Sequence, residues 1–184
     1  MVEKVEKSKC NNKKIANKVD RNFDDRPSLE ACVSDLTYVR VGNNWNYICA
    51  IIDLHNREII GYAAGKNKSA DLVKEAIYSI KYPLNKIKIF HTDRGREFFN
   101  KSVDKSPDIL YIERSLSEKG SSYDSAFNKV MKTEFIYQNE FEKLNQLKLS
   151  LLEYIYWYNN LRIHGFLGYV TPLEYRQLRL ASKY

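Results

Sequence analysis

Ile87-Lys88-Ile89-Phe90-His91-Thr92-Asp93-Arg94-Gly95-Arg96-Glu97-Phe98 is the stretch on which the reading of this chain turns. Ile87 and Ile89 belong to an apolar run of strand type, predicted over 87–91, that stops at a carboxylate. Gly95 follows within two residues, where a sharp turn needs it. A carboxylate at the end of a buried strand is aimed rigidly, as a metal ligand or catalytic group must be. The same position also suits an Asp that caps a following helix. A second acid in a similar setting upstream, Asp35, favours the chemical reading.

Working outward, Val33-Ser34-Asp35-Leu36-Thr37-Tyr38-Val39-Arg40-Val41 alternates apolar and polar with period two, and Gly42-Asn43-Asn44 supplies a turn. Tyr47 to Ile52 is continuously apolar, as in a central strand, and His55-Asn56 turns the chain into Glu58–Ala64. Turns this short predict a three-stranded antiparallel meander. Ser69 is placed to cap a helix with Leu72, Val73, Ala76, Ile77 and Ile80 on one stripe, closed by Pro83. A helix leading into strand 87–91 predicts a crossover that lays this strand parallel to an earlier one. Asp108–Ile112 reads as one more short strand, and Ser117–Tyr123 as a polar loop.

The remainder is helical. Leu144, Leu147, Leu151, Ile155 and Tyr158 form the stripe of a long amphipathic helix. A last short helix starts at Pro172, with Thr171 and Glu174 spaced as a capping box. The expected fold is α/β and ribonuclease-H-like: a five-stranded mixed sheet, flanking helices and a long C-terminal helix. Residues 23–184 are read as one core domain and residues 1–22 as a basic, flexible arm.

Composition narrows the class. Hydrophobic residues make up 43%, as in a globular protein. No apolar stretch reaches the length of a membrane span, which predicts a soluble, cytoplasmic protein with no membrane partner. Cys10, Cys32 and Cys49 are odd in number and form no C-x-x-C pair, which argues against structural zinc or a disulfide framework. The net charge of +7 suggests a polyanionic partner. Six lysines and two glutamates place +4 of it in residues 1–18, so the rest of the chain alone argues only weakly for nucleic acid.

In the expected fold the strands of Asp35 and Asp93 are neighbours. Two bare carboxylates facing each other repel, and one takes a proton unless a cation sits between them. Hard oxygen ligands select Mg²⁺ or Mn²⁺ over zinc. Two such ions roughly 3.5–4 Å apart serve phosphodiester chemistry, normally with a third carboxylate to complete the site.

At this point the sequence resembles a known family, the integrase core of OrfB-type bacterial insertion-sequence transposases. The likeness is carried by Asp35-Leu36-Thr37-Tyr38, Asp53-Leu54-x-x-Arg57-Glu58-Ile59-x-Gly61 and His91-Thr92-Asp93-Arg94-Gly95. It continues through Ser117-x-Lys119-Gly120-x-x-Tyr123-Asp124-Ser125-Ala126 and Met131-Lys132-Thr133-Glu134, and ends with Tyr158-Asn159-x-x-Arg162-x-His164-x-x-Leu167-Gly168-Tyr169-x-Thr171-Pro172. The resemblance implies metal-dependent DNA cleavage and strand transfer by an Asp-Asp-Glu triad. Asp35 and Asp93 match its two aspartates as catalytic and metal-binding residues. It also implies DNA partners, both transposon ends and target, and a homo-oligomer when the core is part of an intact, nucleoid-associated transposase.

The third acid does not match. The family places its Glu after thirty-five intervening residues, and this count from Asp93 reaches Lys129. Registered backwards from Met131-Lys132-Thr133-Glu134, the chain is four residues short and the Glu position falls on Ser125. A deletion between Asn128 and Lys129 accounts for both counts. Glu134 is about 140° from Lys129 and about 180° from Ser125 on a helical wheel, so it faces away in either register. Asp124 is shorter and about 100° off the face. Cys32 stands where the family usually carries Trp, and the helix-turn-helix region that the family carries before its core is not expected in residues 1–22.

Two readings of function result: a transposase core impaired by loss of its third acid, or a non-catalytic DNA-binding or oligomerising remnant. Arg94, Lys119, Tyr123, Arg162 and His164 are the candidate DNA contacts. For Arg162 and His164 the alternative is a cap on the helix before them. Asp53 is assigned to a turn rather than to a metal. Trp157 and Tyr158 are assigned to the core.

Overall fold

The computed structural model describes residues 26–93, 95, 97, 98, 112–116 and 124–181. β1 (Ala31–Val41), β2 (Asn44–Asp53) and β3 (Ile59–Gly65) form the expected antiparallel meander. After α1 (Ala70–Tyr78) the chain enters β4 (Ile89–Thr92), which lies parallel to β1, and β5 (Glu113–Leu116) lies parallel to β4. The sheet order is β3-β2-β1-β4-β5. Helices α2 (Asp124–Glu134), α3 (Leu144–Asn160) and α4 (Pro172–Ala181) complete the fold.

Alternation along the strands separates two cores. Cys32, Cys49, Ile51, Ile60 and Phe90 face α1, where Val73, Ala76 and Ile77 meet them. Val39, Ile48, Ala50 and Ile52 face the other way, onto Met131 of α2 and Leu147, Leu151 and Ile155 of α3. On the α1 side the approach is so close that a Cβ on Gly61 would stand 2.6 Å from the Ala76 carbonyl oxygen. The long β2 is buried on both faces for this reason, which is why it reads as an unbroken apolar run.

Three expected boundaries are corrected. The fifth strand begins at Glu113; of the stretch 108–112, only Ile112 is described, and it is a bend. Its register is set by β4, whose Ile89 and Thr92 pair with Glu113 and Leu116. The fourth strand is 89–92 rather than 87–91, because Leu84–Lys86 forms a 3₁₀ turn that carries the chain to Ile87. Helix α1 stops at Tyr78, well before Pro83: Ser79 Oγ donates to the Ala76 carbonyl and accepts from Tyr62 N–H. Ser69 caps α1 and Thr171 caps α4 with Glu174 reciprocating, as expected. The arm over 1–22 and the loop over 117–123 lie outside the described residues.

Candidate active site

Parallel pairing of β1 with β4 runs from Ala31 opposite Ile89 to Ser34 opposite Thr92. One step further come Asp35 and Asp93. Strand alternation puts them side by side on one face of the sheet, the face of Val33 and His91. Helix α2 covers this face: Asn128 Nδ2 donates to Asp35 Oδ2, while Asp35 Oδ1 accepts from Leu36 N–H at 2.7 Å. The buried His91 has Nδ1 2.9 Å from Ser115 Oγ of β5.

Beyond β4 the chain turns so tightly that Asp93 Oδ1 accepts from Gly95 N–H at 2.8 Å. A Cβ on Gly95 would overlap Glu97 Oε1 and stand 2.8 Å from Asp93 Oδ1. Glycine is therefore what allows Asp93 and Glu97 to crowd one point of backbone. The Glu97 side chain is 7% exposed and ion-paired to Lys68 Nζ at 2.9 Å. Lys68 comes from the loop between β3 and α1. Its ammonium is held above the usual lysine range chiefly by Glu97, with Asp93 and Asp35 adding to the effect. Burial pushes the Cys49 thiol up to about 12; its bond to Ser34 opposes this, and the charges of Asp35 and Glu97 reinforce it. Asp35, Asp93 and Glu97 thus act together as one region of negative charge.

Lys68, Glu97 and Asn128 escaped the reading of the sequence. Glu97 carried a signal, four residues after Asp93 with glycine between. Lys68 and Asn128 carried none, because loop position and helix rotation decide their role.

Of the two counted positions for a third acid, Lys129 is exposed and Ser125 lies outside the residues whose side chains are described. Glu134 faces away, as its helical phase requires. Arg162 Nε lies 2.9 Å from both its oxygens, Arg162 Nη2 lies 2.6 Å from Oε1, and Tyr154 Oη donates to Oε2 at 3.3 Å. Arg162 also brings Nη1 within 3.0 Å of the ring nitrogens of His164. A guanidinium can only donate, so this contact favours the neutral ring. Burial first, then Arg162, lowers the His164 pKa to about 4. This cluster reaches the neighbourhood of the site through Phe127, which packs edge-on against Tyr158 at 5.7 Å. Arg94, Lys119 and Tyr123 lie outside the described residues.

Asp53 ends β2 fully buried, accepting from Leu29 N–H at 3.0 Å, His55 N–H at 3.1 Å and Arg176 Nη2 at 3.1 Å. It organises a turn, as assigned, and in addition holds Arg176 of α4. Tyr158 is core, but Trp157 is 40% exposed: α3 buries the stripe of Leu151, Tyr154, Ile155 and Tyr158, and Trp157 falls beside it.

Among the described residues no group of three or more His, Cys, Asp or Glu is arranged to hold a metal ion. Asp35 and Asp93 nevertheless supply hard oxygens from one face, a donor pair that fits one Mg²⁺ or Mn²⁺. No helix among these residues is long and apolar enough to cross a membrane.

Comparison with known proteins agrees with this architecture. Over residues 166 long, the chain is 30% identical to the putative transposase InsK for insertion sequence element IS150 of Escherichia coli (strain K12), covering 87% of this chain and 59% of that protein. It is 28% identical to the transposase InsF for insertion sequence IS3A of the same strain, covering 90% and 60%. The chain therefore spans about three fifths of the curated relatives it matches. The HTLV-2 integrase catalytic core domain, solved in complex with magnesium, superposes with a TM-score of 0.62 at 13% identity, over 79% of this chain and 95% of that one. The catalytic core domain of BIV integrase gives 0.59 at 15% identity, over 85% and 99%. These likenesses identify the fold as ribonuclease-H-like. Two family models described as integrase core domain match residues 27–122 and 125–180, and the chain belongs to that family.

Proposed function

We propose that the chain acts on DNA, cleaving and transferring strands at transposon ends and target with Mg²⁺ or Mn²⁺ held by Asp35 and Asp93. The observation that supports this most is their placement, side by side on adjacent parallel strands at the same level of the sheet. When bound, the ion supplies charge stabilisation to the phosphate and activates an oxygen nucleophile. The aspartates hold and orient it. Gly95 N–H fixes the Asp93 carboxylate, and Leu36 N–H fixes that of Asp35. Arg94, Lys119, Tyr123, Arg162 and His164 are the proposed DNA contacts, and the working form is a homo-oligomer.

Catalysis is impaired in this reading, because α2 offers a carboxamide, Asn128, where a carboxylate would anchor the ion. Losing charge stabilisation of that kind costs on the order of a thousandfold in rate. The same carboxamide favours the second reading, a DNA-binding or oligomerising protein without strand chemistry. Incubating the chain with labelled DNA from the flanks of its gene, with and without Mn²⁺, separates the two. Slow metal-dependent cleavage abolished by Asp93→Asn and Asp35→Asn supports the enzyme. Binding without product, equal in all three proteins, supports the binder. Robust cleavage that survives both substitutions would overturn the assignment of the aspartates.

A further inference from the structure

We propose that Asn128 occupies the third ligand position of this site and offers a divalent cation a neutral carboxamide oxygen. The inference rests on reading Asp35 and Asp93 as a metal pair and goes beyond it by naming a ligand that sequence counting passed over.

The rotation of α2 about its axis is fixed twice. Phe127 and Met131, one turn apart, are held by the core: Met131 is fully buried and Phe127 packs on Tyr158. Asn128 and Lys132, also one turn apart, both face β1. Asn128 bonds Asp35, and Lys132 Nζ lies 4.6 Å from the centre of the Tyr38 ring. Lys129 is about 100° further round and exposed. Of the described α2 side chains, the one that meets Asp35 is therefore Asn128, whichever way the missing residues are counted.

An amide is nearly symmetric in shape and opposite at its two ends in charge. Without a cation, Nδ2 is the end that suits Asp35, and it donates. With a cation between them, half a turn about the last side-chain torsion presents Oδ1, a type of oxygen that hard divalent ions accept as a ligand. Lacking a formal charge, it binds such an ion more weakly than a carboxylate would.

A purely structural Asn128 predicts something different. If it only satisfied Asp35, removing it would release Asp35 Oδ2 from the amide, and metal binding would be unchanged or tighter. Free Mn²⁺ can be followed by electron paramagnetic resonance as the whole chain is titrated, with thermal melts run in parallel. Asn128→Leu should bind Mn²⁺ several-fold more weakly than the unaltered chain. Asn128→Asp should bind it on the order of tenfold more tightly. The Asp variant should also melt lower without Mn²⁺, where two carboxylates face each other, and regain stability when Mn²⁺ is added. If Asn128→Asp does not fold, Asn128→Leu, checked by circular dichroism, decides alone. Binding in Asn128→Leu as tight as in the unaltered chain overturns the assignment of Asn128, provided Asp35→Asn abolishes binding. Mn²⁺ binding unchanged in Asp35→Asn instead removes the metal pair itself, and this proposal with it.

Discussion

Glu97 has its charge inside the protein, 7% exposed, and Lys68 beside it at 2.9 Å is 45% exposed. Removing the ammonium strands a carboxylate that sits next to Asp93. Breaking a buried ion pair from one side typically costs about 3–5 kcal/mol, and the exposure of Lys68 reduces this to about 1–3 kcal/mol. Lys68→Met should therefore lower the denaturant midpoint, and Glu97→Gln in the same chain should recover most of the loss. Additive losses in the double variant, measured by urea unfolding, would show that the pair contributes nothing jointly. At this scale the sequence revealed what a single strand controls. Asp35 and Asp93 were legible because each ends or interrupts a run of period-two apolar residues. Lys68 was not, since its role depends on a loop that crosses to the far end of another strand.

Helix α4 is fastened to the sheet chiefly through Arg176, with Asn56 Nδ2 donating to the Pro172 carbonyl at 2.9 Å as a second tie. Arg176 lies 10% exposed, with Nη2 3.1 Å from Asp53 and 2.6 Å from Glu58, carboxylates that are 0% and 5% exposed. Its Nη1 donates to Ser28 Oγ at 2.7 Å, and its guanidinium lies over the Tyr82 ring. Arg176→Met would leave two buried carboxylates without their cation, a loss of about 3–5 kcal/mol in urea unfolding. A loss below 1 kcal/mol would mean that water reaches them. The segment between α3 and α4 carries a pH dependence of its own. His164 is neutral in the fold, with its pKa lowered from 6.5 to about 4, so the unfolded chain binds the extra proton between these values. Its contribution is complete above pH 6.5 and declines as pH falls toward 4, by about 1 kcal/mol once the half-exposed ring is discounted for solvent. His164→Asn should flatten that part of the stability profile; an unchanged profile would show the ring is not the group responsible. Elements were legible wherever side-chain periodicity decides them, as in the meander and α3. The start of β5 was not, because Glu113-Arg114-Ser115-Leu116 has no apolar run and is a strand only through pairing with β4.

Charge is unevenly distributed along the chain, so its acids and its lysines should respond to DNA differently. The folded core gathers Asp35, Asp93 and Glu97 in one place, whereas residues 1–18 hold six lysines and two glutamates, +4 of the chain's +7. Phosphate contacts release counterions, so the logarithm of affinity falls with that of salt in proportion to the number of contacts. If the lysines of the first eighteen residues supply most contacts, deleting these residues should reduce the slope by about 3–5. Asp35→Asn and Asp93→Asn each remove a negative charge without adding a phosphate ligand, so they should leave the slope within about one contact of its value. Fluorescence anisotropy of a labelled duplex between roughly 50 and 200 mM salt spans the range in which such slopes are read. A slope that survives the deletion would mean that the lysine-rich segment does not touch DNA and that the basic residues of the core carry the binding. Replacing only the six lysines by glutamine separates charge from chain length. If charge is the cause, this variant and the deletion give the same slope; if the glutamine variant keeps the original slope, the segment acts by something other than its lysines.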